Sequence, residues 1–166
     1  ISSGAGACIG GASNRSAGSI AISNAKLPPL NGTSLIGWIR GNTAGSLTIR
    51  NCYIESTDTA AGSGIQVSDN GNIRIENSEV KLPEKRDIRA GDGGSIVIHD
   101  STIHSNGIYM LGDKNAEKKL KRLEITDSTV VTAGNVIGAM GSRASVDEIV
   151  IHGSSLSPAE GADHYY

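Results

Sequence analysis

The chain has 166 residues, a net charge of −2, 22 glycines, four prolines, no phenylalanine and only 3% aromatic residues. Its basic residues are scattered rather than pooled, which removes the electrostatic footprint of nucleic-acid binding, and no apolar run reaches the roughly 18 residues of a membrane span. A core without phenylalanine has to be filled by stacked aliphatic side chains, and abundant glycine suits many tight corners.

The first predicted elements are Cys8-Ile-Gly-Gly11 and then Ser19-Ile-Ala-Ile-Ser-Asn-Ala-Lys-Leu27. This couple returns five times: residues 35–38 then 46–54, 64–67 then 72–80, 87–90 then 95–103, 107–110 then 122–130, and 136–139 then 148–156. The long segments are anchored by Ile22, Ile49, Ile75, Ile98, Ile125 and Ile151, spaced by 23 to 27 residues. The short segments are anchored by Ile9, Ile36, Ile65, Ile88, Ile108 and Ile137, spaced by 20 to 29 residues and in phase with the first series. A period in the twenties built on strand-type alternation, with no helical apolar stripe, specifies a parallel β-solenoid. Parallel crossovers are overwhelmingly right-handed. The expected fold is therefore all-β: a right-handed parallel β-helix of about six coils of 20–29 residues, three short strands each, forming one domain over residues 1–166.

Inside each long segment the alternation turns one set of side chains inward, Ile73 and Ile75 for example. The next position holds Asn24, Asn51, Asn77, Asp100, Asp127 or Gly153, residue types that tolerate left-handed backbone and mark a corner. Stacked corner side chains bonding to one another and to backbone are the expected structural role of that column. A small inward residue follows (Ala25, Cys52, Ser78, Ser101, Ser128, Ser154), then an apolar one two places on. Cys8 and Cys52 fall on different walls and are expected as two free thiols, Cys52 buried. Residues 112–122, with Asp113, Glu117 and five Lys or Arg, interrupt the pattern as a charged loop with room for a turn or two of helix. Ile1 begins without Met, and the ending at 163–166 resembles the entry to another strand or a cap, as in a processed protein or an excised domain.

Candidate chemistry gathers on the wall of the short segments. Its outward column is expected to be Gly10, Gly37, Gln66, Arg89, Tyr109 and Gly138, while Trp38 points inward. Gln66, Arg89 and Tyr109, with Tyr53 on another wall, are the candidate ligand-binding residues. Asp69, Asp92 and Asp113 follow their anchor isoleucines by four or five residues, giving carboxylates about 5 Å apart on consecutive coils. Like charges so stacked call for a counter-ion: calcium, or a neighbouring arginine such as Arg89. Ordinary turn chemistry at 69–71 and 92–94 competes with that metal reading. Arg89, Asp92 and His99 are the acid–base candidates. For His99, next to Glu76 and Arg50, a surface ladder of opposite charges competes. No nucleophile elbow, zinc spacing, phosphate loop or nucleotide fingerprint is present.

The first coil, with Gly4-Ala-Gly-Ala-Cys-Ile-Gly-Gly11 followed by Ala17-Gly-Ser-Ile-Ala-Ile22, resembles a Gly-Ala-Gly-Ile-Gly-Gly repeat of secreted bacterial right-handed parallel β-helix proteins, some described as carbohydrate-binding. The close match covers residues 4–24, and Cys8 interrupts the repeat's Gly-Ile pair. More broadly the chain is similar to the pectate-lyase-like superfamily, whose corner asparagines form a ladder. The resemblance implies an extracellular or cell-surface location and a polysaccharide or glycan partner, bound without catalysis. It also implies an alternative, a lyase or hydrolase of acidic sugars in which Asp69, Asp92 and Arg89 converge in a groove. A structural spacer of an adhesin or phage fibre is the third expectation, and would show a continuous exposed apolar stripe. Val97 and Val150 hint at such a stripe, and Thr48, Arg74 and Glu124 interrupt it.

Overall fold

The computed structural model describes residues 7–11, 18–27, 29–30, 34–38, 45–57, 62–113, 115–140 and 143–160. The repeated segments form three parallel sheets, one per wall of the coil. The first wall holds β2 (Ile20–Ser23), β4 (Ser46–Arg50), β7 (Asn72–Glu76), β10 (Ser95–His99), β14 (Arg122–Thr126) and β18 (Ile149–His152). The second holds β5 (Tyr53–Glu55), β8 (Glu79–Lys81), β11 (Thr102–Ser105), β15 (Thr129–Thr132) and β19 (Ser155–Pro158), and its first rung is reduced to a bridge between Lys26 and Tyr53. The third holds β1 (Ala7–Gly11), β3 (Ser34–Trp38), β6 (Gly62–Gln66), β9 (Arg86–Ala90), β12 (Ile108–Leu111) and β16 (Ile137–Met140).

The register matches the expected columns. Ile49, Ile75, Ile98 and Ile125 are consecutive partners on the first wall, each fully buried. Ile36, Ile65, Ile88 and Ile108 stack the same way on the third. Each such side chain contributes about 1.5–3 kcal/mol relative to leaving it in water. Cys52 is buried and neither cysteine is disulfide-bonded. Trp38 ends β3, and its side chain lies outside the described residues, as do 1–6 and 161–166.

The corner column has the backbone its composition requires. Asn24, Asn51, Asn77, Asp100, Asp127 and Gly153 all have φ between 46 and 60°. This left-handed bend swings the following N–H out of the sheet ladder, and the small inward residue supplies its partner. The Ser78 hydroxyl accepts from the Cys52 N–H, Ser101 from Ser78, Ser128 from Ser101 and Ser154 from Ser128, each at 3.1 Å. Each of these serines also donates to a carbonyl two residues back, as from Ser101 to His99 at 2.7 Å. A continuous serine ladder, buried at Ser78, Ser101 and Ser128, therefore runs beneath the corner. The spacing predicts a small inward residue there, and the hydroxyl's bonding role emerges only in three dimensions.

Three features depart from the sequence reading. Among its described residues the charged excursion contains no helix; residues Lys118–Leu120 form β13, which pairs in parallel with β17 (Ala144–Val146). Its Leu120 is buried, and burying that residue against the coil favours a strand over a solvated helical turn. Arg86, on the inward parity of Ile88, is completely buried and donates to the Ser63 carbonyl at 3.3 Å. The last coil is open among the described residues, with Ile149 52% and Ile151 47% exposed.

Candidate functional site

On the third wall the predicted column is assembled: Gln66 partners Arg89, and Arg89 partners Tyr109. Little of it reaches solvent. Gln66 and Tyr109 are buried, and the Tyr109 ring lies flat over glycines, so that a Cβ on Gly138 would stand 2.8 Å from its Cε1. Outward parity and exposure part company here because the neighbouring glycines leave a trough that the ring fills. Burial raises the Tyr109 pKa above its ordinary value. Arg89 turns to Asp87, its Nε donating to Oδ1 at 2.6 Å. Burial pushes Asp87 up and the Arg89 charge and hydrogen bond offset part of that push.

The Asp69, Asp92 and Asp113 carboxylates do not form the expected even column. Asp69 accepts the Asp92 N–H at 2.9 Å, and Asp92 accepts the Lys119 N–H at 2.6 Å. The position after Asp92 is thus taken by Lys119, because the excursion carries Asp113 aside to bond the Asn115 N–H. A cation is already paired with the first of these acids: Lys118 Nζ lies 3.0 Å from Asp69 Oδ2. That hydrogen bond, with the charges of Asp69, Asp92 and Asp113, raises the Lys118 pKa against the opposing effect of burial. Among the described residues no three His, Cys, Asp or Glu side chains gather as a metal-binding set. Asp69, Asp92 and Arg89 have separate partners rather than one shared focus.

On the first wall a charge ladder is present, with Arg74 in the place expected of His99. Glu76 is bound by Arg50, at 2.5 Å, and by Arg74. Burial alone would raise Glu76, but the hydrogen bonds from the two guanidiniums outweigh it and hold the carboxyl below its ordinary value. His99 pairs instead with the Thr126 hydroxyl at 2.8 Å and stands 3.9 Å from Asp127.

Among the described residues, a concave feature that spans most coils follows the corner itself. A groove of about 760 Å³ runs along it, floored by Asn24, Asn51, Asn77, Asp100 and Asp127 and walled by the outward column Lys26, Tyr53, Glu79, Thr102 and Thr129. The floor changes character along its length. Asn51 Nδ2 donates to Asn24 Oδ1 at 3.0 Å and Asn77 Nδ2 to Asn51 Oδ1 at 2.7 Å. Carboxylates only accept, so Asp100 and Asp127 cannot continue this ladder. Near the amide end Tyr53 donates its hydroxyl to Glu55 at 2.9 Å, a bond that raises its pKa, and the Lys26 and Lys81 ammoniums each lie 5.3 Å from its ring centroid. The repeat identifies this column as a corner, but only the bend of the two walls turns it into a groove.

With three parallel sheets and a left-handed corner in place, the chain's residues 2–156 also match a known family, described as the right-handed beta helix region. This chain belongs to the right-handed β-helix family. No curated protein and no solved structure matches it significantly. Membership in the right-handed β-helix family accounts for the coil and its handedness. It assigns no reaction, because a fold of this kind hosts many functions.

Proposed function

We propose that this β-helix is a non-catalytic carbohydrate-binding module, exported to the cell surface or medium, whose glycan lies in the corner groove. The carrying observation is the groove's form: five successive coils each contribute one amide or carboxylate to the floor and one polar or aromatic side chain to the wall. Its groups therefore recur at the coil rise of about 4.8 Å, close to the length of one sugar unit in an extended chain. A ligand with its own repeat meets the same chemistry at each step. Tyr53 adds an apolar face beside hydrogen-bonding groups, the combination a sugar ring requires. Gln66, Arg89 and Tyr109 support this reading less than Tyr53 does, since the first and last are buried.

Calorimetric titration with soluble polysaccharides, with calcium and then with chelator, tests this function. Absorbance of unsaturated sugar products is followed in parallel. Binding that persists in chelator and disappears in Tyr53→Ala is expected, because Lys118 already supplies the charge that a calcium ion would bring to Asp69. Rising absorbance would instead establish a lyase, and calcium-dependent binding would move the site to the Asp69–Asp92–Asp113 region.

A second reading, a rung of a longer structural rod, is favoured by exposed Ile149, Ile151 and Met140 at the C-terminal end. The lengthwise stripe of a trimeric fibre has weaker support, since the outward column Thr48, Arg74, Val97, Glu124, Val150 is broken twice by charge. Concentration-dependent sedimentation separates the two readings, since end-to-end growth is expected only of the rod.

A further inference from the structure

We infer that the corner groove selects neutral glycans and rejects acidic ones, with Asp100 and Asp127 as the discriminating residues. This rests on the carbohydrate reading above and adds the class of sugar. The two carboxylates occupy successive floor positions, on the two coils whose first-wall strands pair residue for residue through Ile98 and Ile125. Among the described residues neither pairs with a lysine or an arginine. Asp127 has His99 3.9 Å away, itself bonded to Thr126, and on the next coil stands beside Gly153, which carries no side chain.

The cations around the groove are committed elsewhere or stand at its other end. Arg50 binds Glu76 and Lys81 binds Glu79 at 2.6 Å. Lys26 lies over Tyr53, at the amide end. A polyuronate laid along five coils would therefore bring its carboxylates against Asp100 and Asp127 with no cation between them. Neutral sugar hydroxyls meet the opposite situation. They donate, a carboxylate accepts with both oxygens, and hydrogen bonds to an ionised acceptor are the stronger kind. At the amide end the ladder uses one N–H each of Asn51 and Asn77, leaving the second of each for sugar oxygens. The floor thus offers mixed donors and acceptors at one end and acceptors alone at the other.

The corner tolerates the decisive substitutions. Asn already adopts the same left-handed backbone at Asn24, Asn51 and Asn77, so Asp100→Asn with Asp127→Asn preserves the bend. The experiment is affinity electrophoresis of wild type and this double variant against galactomannan and mixed-linkage glucan, and against polygalacturonate and alginate, at low and high salt. Circular dichroism melting verifies that both proteins are folded. Wild type is expected to bind at least one neutral polymer about tenfold more tightly than either polyuronate, from two exposed like-charge contacts. The double variant is expected to close most of that gap, and salt to narrow it in wild type alone. Equal binding of neutral and acidic polymers by wild type, or an unchanged gap in the folded double variant, overturns the selectivity while leaving the carbohydrate reading in place. Wild type that binds none of the four polymers removes the carbohydrate reading, and the selectivity with it.

Discussion

The two halves of the corner ladder share a backbone and differ in everything their side chains do. From Asn24 to Asn77 the side-chain amides bond coil to coil; from Asp100 to Gly153 they cannot, yet φ stays between 46 and 60° throughout. The serine ladder beneath runs unbroken from Ser78 to Ser154 across the junction. Holding the corner is therefore the task of buried hydroxyls and backbone. The exposed side chains above them are free to vary, and their variation gives the groove a donor-and-acceptor end and an acceptor-only end.

The core below both halves is common to them, so damage there should erase the difference altogether. Ile75→Asp places an uncompensated charge in a fully buried column and is expected to abolish cooperative melting. Ile75→Ala should cost about 3 kcal/mol by denaturant titration. Native-like melting of the Asp variant would refute the register.

The next effect is at the shared serine ladder. Ser101→Ala leaves the Ser78 N–H buried without its acceptor and is expected to cost roughly 1–3 kcal/mol, although it lies under the acidic half. A loss near zero would mean that the visible ladder, not the buried one, holds the corner. Exchanging side chains between the halves sharpens the same point. Asp100→Asn gives Asn77 Oδ1 a donor and should stabilise by about 0.5–1 kcal/mol, whereas Asn51→Asp removes the donor to Asn24 and should destabilise by a similar amount.

The smallest expected effect is a pH dependence at the first-wall ladder. The folded-state pKa of Glu76 lies below its ordinary value, so its contribution is fully present above the unfolded-state carboxylate pKa and is lost as pH falls through the depressed folded value. Glu76→Gln should flatten the acid side of the melting-temperature profile between neutral and acid pH. An unchanged slope would assign the acid sensitivity to other carboxylates.

Much of this was legible in one dimension because a solenoid repeats its own constraints. Alternation places Ile22 through Ile151 in one column, and a left-handed-tolerant residue after each marks the bend. Loss of phase at residues 112–122 marks the excursion, but its fold does not follow from composition. Lys118–Leu120 became a strand because Ala144–Val146 offered an edge to pair with and the coil a place to bury Leu120. Outward parity suggested that Tyr109 would face solvent, and neighbouring glycines, spaced by the coil rather than the chain, let it lie down.

By itself the sequence determined the period, the strand columns, the corner and the buried isoleucines, since these depend on residue type and spacing along a chain that meets itself every coil. Only the tertiary structure decided which polar groups are spent and which remain. Arg89 was drawn to Asp87 and Asp69 to Lys118, while the Asp100 and Asp127 carboxylates were left facing a groove. Those outcomes turn on distances between coils and on burial, which side-chain order along one strand does not contain.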